Sequence, residues 1–294
     1  MKATGRGWVH FKDFACGTLL AVALFNVSTV FGQGKDKLTP EALLESHLAS
    51  IGTAEARQRL KSMTIVGTTV AVFKGRGEGR AEGIAVLASQ GDKYMIGMKF
   101  NTPDYPHEKM GYDGSNFTVG FVRPGTYSVL GQFLRINERT FRSGLLGGVL
   151  STSWELGGSE ASRGKLKPKG KAKIEDTQVL KFAFEPKKGT DLDISMYFDP
   201  TTFRHLRTEY RRVIAAKQGL TVDTSSQQSE TRYRLTEDFA DFRGENGLTL
   251  PHKYVLSLEI LSGSGTTSYT WTVDLQQFRF DQELDTSEFR MDTD

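Results

Sequence analysis

Apolar residues recur at every second position through most of the sequence between residues 63 and 280. In "DLDISMYFD", Leu192, Ile194, Met196 and Phe198 fall on one side of an extended chain, and polar residues separate most of them. A side-chain period of two is typical of β-strands that bury one face. About eleven such runs follow one another, mostly joined by short turn-like links such as "SQGD" and "KKGT". The sequence therefore predicts an antiparallel meander.

A sheet with one apolar and one polar face favours a curved architecture with a single apolar concavity. The predicted fold class is mainly β (α+β): a curved antiparallel sheet that forms an unclosed β-barrel of about eleven strands, with short helices packed on the concave side. An outer-membrane barrel is the alternative, because its strands alternate in a similar way. Helical segments and a long glycine-rich insert fit such a barrel poorly.

Helical spacing of apolar residues occurs in two regions. At the start, Thr39 and Pro40 form a helix start signal, Gly52 supplies a stop, and a second short helix is predicted over 54–61. The second region is an insert over about 125–155, in which several glycines each weaken a helix by ~1 kcal/mol. We expect marginal helices here that lie over the open side of the sheet. A basic loop is predicted to follow, over about 156–173.

Residues 1–32 have the pattern of a signal peptide. Basic residues precede a short apolar run over 17–31, and small residues stand at the two recognition positions before a predicted cleavage after Gly32. The run is short for a membrane span of ~20 residues, although an uncleaved anchor is the alternative. Cys16, the single cysteine, precedes the run, so lipidation is not expected. These features predict a soluble protein exported to the periplasm, without disulfides.

The net charge of the chain is +3. Removal of residues 1–32 takes away three basic residues and one acidic residue, which lowers the net charge to +1. A nucleic-acid-binding protein usually carries a broad basic surplus, so nucleic acid is not expected as a partner.

One segment, "RGKLKPKGKAK", places a cation at every second position. In an extended chain all six cations would project from one side. They could form a solvated loop or a charged edge that keeps the sheet from pairing with other chains. Alternatively they could dock on anionic head groups of a membrane, where each cation contributes ~1 kcal/mol. The candidate docking residues are Arg163, Lys165, Lys167, Lys169, Lys171 and Lys173.

No catalytic or metal-binding constellation is recognisable in the sequence. The four histidines after residue 32 are isolated from one another, and no cysteine is present there to complete a zinc site. The glycines of "GRGEGRAEG" lead into a strand, which predicts a hairpin turn rather than a phosphate cradle. Ser162 and Lys165 match SxxK without its companion motifs. Glu237 and Asp238 fit the solvent-facing side or end of a strand. No enzyme activity, cofactor or metal is expected.

Four stretches and their order resemble the outer-membrane lipoprotein carrier (LolA-like) superfamily. The opening "LTPEALLESHLASIGTAEARQRLKSMTIVGT" is similar to its first helices and first strand. "MYFDPTTFRHLRTEYRR" resembles a strand–turn–strand unit of that superfamily, and "DFADFRGENGLTLPHKYVLS" resembles the segment after it. "FDQELDTSEFRM" resembles its closing turn. The resemblance covers most of residues 38–291.

The resemblance implies an unclosed barrel whose mouth is plugged by helices, with a hydrophobic cavity that takes acyl chains. A single domain of this kind is expected over residues 33–294. The superfamily also includes lipid-binding lipoproteins and periplasmic stress sensors. The insert with its basic segment has no recognised counterpart in the superfamily.

These considerations predict a periplasmic carrier that holds acyl chains of lipids or lipoproteins without covalent chemistry. An anionic membrane surface or an envelope protein is a further candidate partner. The alternative is a non-transporting envelope-stress sensor or interaction module, which would show a filled interior and an exposed apolar patch. The candidate cavity wall is Tyr94, Ile96, Met98, Phe100, Leu180, Phe182, Phe184, Leu192, Ile194, Met196, Phe198 and Trp271. The candidate lid is Phe133, Phe141, Leu145 and Val149.

Replacing the six cations of the basic segment by glutamine or serine tests the membrane-docking hypothesis. We expect the variant to fold normally and to bind anionic vesicles more weakly than the wild type, because each cation lost removes ~1 kcal/mol of attraction. Co-sedimentation with anionic and neutral vesicles measures the effect. Unchanged binding to anionic vesicles would remove the docking hypothesis.

Overall fold

The computed structural model describes residues 38–160, 162–215 and 230–291. The predicted signal peptide, its cleavage after Gly32 and Cys16 lie outside the described residues. Within the described ranges, no helix is both long enough and apolar enough to cross a bilayer.

Two short helices open the structure, α1 (Pro40–Ile51) and α2 (Ala54–Arg59). Each is preceded by a threonine, Thr39 or Thr53, whose hydroxyl accepts a hydrogen bond of 3.2 Å from the backbone N–H three residues on. These caps satisfy N–H groups that the helix itself cannot pair. The first helix has the predicted bounds, and the second ends two residues earlier than predicted.

In the residues that the structure describes, twelve strands form one antiparallel sheet. Its strand order is β5-β4-β3-β2-β1-β12-β11-β10-β9-β8-β7-β6, so two local meanders are joined where β1 pairs with β12. The terminal strands of this order are not paired with each other, so the barrel is unclosed. The predicted fold class is confirmed, with one strand more than expected. The strands are β1 (Ser62–Lys74), β2 (Glu78–Gln90), β3 (Lys93–Phe100), β4 (His107–Tyr112), β5 (Phe117–Val119), β6 (Lys165–Ile174), β7 (Thr177–Glu185), β8 (Asp193–Phe198), β9 (His205–Ile214), β10 (Thr231–Glu245), β11 (Leu248–Ser262) and β12 (Gly265–Phe280).

The additional strand is β6, which the basic segment forms. The predicted loop over 156–173 is therefore wrong from residue 165 onward, where the chain pairs with β7 along its length. Lysine occupies every second position there and alternates with Leu166, Pro168, Gly170 and Ala172, so most of the usual apolar signal of a half-buried strand is missing. Because β6 ends the strand order, its lysines occupy the kind of sheet edge that charged residues protect from further pairing.

A β-bulge between Pro168 and Gly170 divides the basic segment. Pro168 pairs with Phe182, and beyond the bulge Lys171 pairs with Leu180, which shares a face with Phe182. The lysines before the bulge therefore project from the opposite face to those after it. Gly170 has φ +86°, a left-handed conformation that glycine adopts without strain. The expectation that all six cations project from one side is wrong.

The insert between β5 and β6 packs against the sheet and completes the hydrophobic core. It contains α3 (Val129–Ile136), α4 (Glu138–Phe141) and two 3₁₀ turns, at Gly148–Leu150 and Glu155–Gly157. Its largest apolar side chains are buried in one cluster with those of the strands. These insert residues are Leu130, Phe133, Leu134, Phe141, Leu145, Leu146, Val149, Leu150, Trp154 and Leu156.

The second helical stretch predicted in the insert does not form as one helix. The chain leaves the helical conformation after Phe141 and turns at Gly144 and Gly147, where φ is +78° and +81°. A Cβ atom on Gly144 would lie 1.9 Å from the carbonyl oxygen of Ser153. The glycines therefore allow a turn and a close backbone approach, and the apolar residues beside them reach the core from irregular backbone.

Gly144→Ala is expected to destabilise the fold more than Gly189→Ala. Both glycines have φ between +70° and +80°, so each alanine carries a similar backbone strain of about 1 kcal/mol. A Cβ at Gly189 meets nothing within 4 Å, whereas a Cβ at Gly144 collides with backbone. Chemical denaturation of both variants measures the difference. Equal losses in the free energy of unfolding would contradict the close approach at Gly144.

Candidate functional site

The twelve predicted wall residues all belong to the core between the sheet and the insert. Eleven are buried, and Leu180 is partly buried against the same core. The four predicted lid residues are also buried in it. Tyr94 of the wall donates a hydrogen bond of 2.6 Å to the carbonyl oxygen of Phe141 in the insert. The insert therefore occupies much of the room that the sequence analysis assigned to a ligand.

Open apolar space remains beside α3, in two adjacent grooves. The small groove has a volume of about 260 Å³ and the large groove about 480 Å³, and both are bordered by Tyr127, Ser128 and Val129. The other residues of the small groove are Phe73, Tyr105, Val122, Leu130, Tyr269 and Trp271. The other residues of the large groove are Gly125, Thr126, Gln132, Phe133, Ile136, Asn137, Arg212, Ile214, Tyr233 and Ile260.

Helix α3 has apolar residues on both its buried and its exposed sides. Leu130 and Leu134 are buried, as expected for a helix packed on a sheet. Val129 and Ile136 are 39% and 56% exposed and line the large groove. Ile214 of β9, also in that groove, is 45% exposed. Exposed aliphatic residues grouped around one groove mark a candidate site for an apolar ligand or partner.

A chain of hydrogen bonds lies beneath the small groove and connects the sheet to the start of α3. Trp271 Nε1 donates to the Tyr105 hydroxyl at 3.0 Å, and that hydroxyl donates to Glu108 Oε2 at 2.5 Å. The Ser128 hydroxyl donates to Glu108 Oε1 at 2.7 Å and accepts from the Gly131 N–H at 2.8 Å. Ser128 is the N-cap of α3, so the cap is itself fixed by a buried carboxyl group. Burial raises the pKa of Glu108 to about 7.

A second buried carboxyl group fixes the middle of the insert. Glu237 of β10 is fully buried, and its Oε1 accepts from the Gly147 N–H at 2.6 Å and from the Tyr254 hydroxyl at 2.8 Å. Its Oε2 accepts from the Tyr210 hydroxyl at 2.7 Å. Burial raises the pKa of Glu237 to about 7. The insert is thus held to the sheet by these buried carboxyl groups and by the Tyr94–Phe141 hydrogen bond as well as by apolar packing.

Sequence reasoning missed both carboxyl groups and placed Glu237 on a solvent-facing position, which is wrong. The alternation of buried and exposed positions along each strand contains the information that was needed. Glu108 is in phase with Met110, and Glu237 is in phase with Leu235 and Phe239, all of which are buried. A glutamate on the apolar face of a strand is therefore the pattern that would have found them.

Two of the histidines have a packing role. His47 Nε2 accepts from Trp154 Nε1 at 3.1 Å, so Nδ1 carries the proton and donates to the Phe203 carbonyl oxygen at 3.1 Å. His205 stacks on Trp154 with ring centroids 5.0 Å apart. Burial lowers the pKa of His47 to about 4 and that of His205 well below its usual value. In the described part of the chain, no three metal-ligating side chains are grouped to hold an ion.

The residues of the basic segment lie away from both grooves, on and just before the terminal strand β6. Their lysine side chains are exposed to solvent. Lys167 pairs with Glu185 of β7 at 2.6 Å, and Arg163 donates to the Gly158 carbonyl oxygen. Surface ion pairs of this kind contribute little to stability, at most about 1 kcal/mol.

No protein-family profile matches the sequence, and no curated protein matches it. The structure is similar to that of a LolA superfamily protein from Nitrosomonas europaea, with a TM-score of 0.45 and 13% identity, over 86% of this chain and 98% of that one. It is also similar to a putative outer membrane lipoprotein-sorting protein domain from Vibrio parahaemolyticus, with a TM-score of 0.43 and 13% identity, over 85% and 97%. At these TM-scores the similarity supports no conclusion about a ligand.

The buried carboxyl group of Glu237 makes stability depend on pH. Because its pKa is raised to about 7 from 4.5, the folded protein keeps a proton that the unfolded chain releases. The stabilisation of the folded state by this bound proton is present at low pH and is lost as the pH rises from about 4.5 to about 7. Relative to Glu237→Gln, the wild type should lose roughly 3 kcal/mol of unfolding free energy across that window.

Urea denaturation at a series of pH values measures this difference. Glu78→Gln, at an exposed position of β2, is the matched control and should follow the wild type. Parallel stability curves for wild type and Glu237→Gln would show that the carboxyl group is not buried in the folded protein.

Proposed function

We propose that the protein is a periplasmic binding or carrier protein that holds acyl chains of lipids or lipoproteins in the grooves beside α3. The observation that carries this proposal is the large groove, where exposed aliphatic residues of α3 and β9 border about 480 Å³ of open space. That volume lies within the range of about 300–1,000 Å³ found for small-molecule sites.

The apolar surface of the grooves supplies a driving force for acyl binding. Burying a chain of ten CH₂ groups is worth roughly 8 kcal/mol, which exceeds the lower estimates of about 4 kcal/mol for the loss of translational and rotational freedom. No covalent step is needed for a carrier of this kind. The aromatic rings of Tyr127, Phe133 and Tyr233 add contact area at a small entropy cost.

Access to most of the predicted wall residues requires movement of the insert; the exceptions are Trp271, which lines the small groove, and Phe184, Leu192 and Ile194, which line a separate groove. The other wall residues lie beneath α3 and the turns that follow it, so a ligand larger than the grooves can reach them only if these segments leave the sheet. The contacts of Glu108 with Ser128 and of Glu237 with Gly147 are among the polar contacts that such a movement breaks. We therefore propose that the insert acts as the lid, with the grooves as the entry side.

A non-transporting module that binds an envelope protein is the second candidate. Two observations favour it: the insert fills much of the concave side, and exposed aliphatic residues extend beyond the large groove. Val213 and Leu261 are 56% and 47% exposed and line a third groove, which is distinct from the small and large grooves. Native mass spectrometry of the purified protein separates the candidates, because a carrier retains or takes up acyl ligands and a protein-binding module does not.

Ile136→Glu is expected to weaken binding of palmitate at least tenfold. The substitution places a negative charge on the apolar wall of the large groove, and its fold should survive because Ile136 is 56% exposed. Ile84→Glu is the matched control: Ile84 is 54% exposed on β2, outside both grooves, so binding should stay at the wild-type level. Titration calorimetry or native mass spectrometry with palmitate gives the affinities. Equal affinities of wild type and Ile136→Glu would place the ligand elsewhere.

A further inference from the structure

A single arginine, Arg212 of β9, projects into the apolar large groove. It pairs across the sheet with Tyr233 of β10, which pairs with Ile260 of β11. Directly opposite residues in a sheet share a face, and all three line the large groove. The guanidinium group is therefore surrounded on this side by aromatic and aliphatic residues rather than by other charges.

The orientation of Arg212 is fixed by the end of α3. Asn137, which caps the C-terminus of α3, is 7% exposed, and its Nδ2 donates to the Phe133 carbonyl oxygen at 2.7 Å. Asn137 Oδ1 accepts from Arg212 Nη1 at 2.5 Å. A guanidinium group has five N–H donors, so this bond leaves most of them for another acceptor.

The neighbouring arginines are already neutralised on the other face of the sheet. Arg211, Arg232 and Arg234 alternate out of phase with Arg212 and Tyr233, and each is paired with a carboxylate. The pairs are Arg211–Glu209 at 3.0 Å, Arg232–Glu230 at 2.5 Å and Arg234–Glu259 at 2.7 Å. Among the residues that the structure describes, Arg212 makes no ion pair. A partly buried cation without a counter-charge is a place where an anionic ligand gains binding energy.

We infer that Arg212 binds the anionic head group of an amphiphile whose acyl chain lies in the large groove. The inference rests on the proposed acyl-binding function and adds the charge of the ligand. A carboxylate and a phosphate monoester share the chemistry required, because both accept two parallel N–H bonds from a guanidinium group.

The space around Arg212 suits a polar head group. The third groove, of about 530 Å³, adjoins the large groove and shares Arg212 and Tyr233 with it. Charged residues of β8 to β11 line most of this adjoining groove. Arg212 and Tyr233 border both grooves, so the guanidinium group lies where the apolar large groove meets a charged surface.

Two matched pairs of ligands test the inference on the wild-type protein at pH 7.5, below their critical micelle concentrations. Palmitate is compared with hexadecanol, and palmitoyl lysophosphatidate with monopalmitoylglycerol. The two ligands of each pair have hydrocarbon chains of equal length and differ mainly in whether the head group is anionic or neutral. We expect each anion to bind at least tenfold more tightly than its neutral partner. A preference in the first pair only indicates a carboxylate ligand, and a preference in the second pair only indicates a phosphate ligand.

Arg212→Gln is expected to abolish this preference by weakening only the anionic ligands, while the neutral ligands keep their affinity. Glutamine removes the charge and keeps a polar side chain, and thermal unfolding checks that the variant is folded. Arg243→Gln is the matched control, because Arg243 is exposed and paired with Asp241, away from the grooves. It should bind all four ligands like the wild type.

The results separate this inference from the proposed function. Equal binding of the anionic and neutral ligands by the wild type overturns the role of Arg212 and leaves acyl binding intact. A preference that survives in folded Arg212→Gln also overturns it. Failure of the wild type to bind any of the four ligands overturns the proposed function itself.

Discussion

The apolar inner face of a twelve-stranded sheet that does not close must be shielded from water by some other part of the chain. In this protein the insert between β5 and β6 provides the shield, and its position follows from the strand order, because β5 and β6 are the two ends of the sheet. A chain that leaves one end and enters the other has to cross the open side. The core, the grooves and the buried carboxyl groups all lie along that crossing.

The alternation of apolar residues was enough to predict the meander, the curved sheet and the apolar face of each strand, and the family resemblance implied that the barrel is unclosed. It failed where other residue types took the place of apolar ones. Strand β6 was not predicted, because an edge strand with little buried surface needs no alternation of apolar residues and this one carries lysines instead. The bulge at Gly170 depends on a local left-handed conformation that strand periodicity does not report. The turns at Gly144 and Gly147 replaced a helix, because apolar spacing alone does not show where a backbone has to approach another backbone.

The site depends on pairings between distant parts of the sequence, and single-sequence patterns do not contain them. Arg212 belongs to a cluster of arginines in "EYRR", and only the register with Tyr233 shows that it alone faces the groove while its neighbours face the charged side. Similarly, Glu108 and Ser128 come together because β4 lies beside the start of the insert. Strand phase could have indicated that Glu108, Glu237 and Arg212 share the apolar face. Their partners could not have been identified without the fold.

The pairing of β1 with β12 also constrains the order in which the chain folds. Each meander can form from neighbouring segments as they become available, but β1 must keep one edge unpaired until the last strand has been made. Loop closure between such distant segments is entropically costly and slow. Because β1 and β12 are far apart in the sequence, their pairing is expected to complete the sheet late in folding. Until that pairing forms, the edge of β1 that β12 covers has unpaired backbone N–H and C=O groups, as any open sheet edge does.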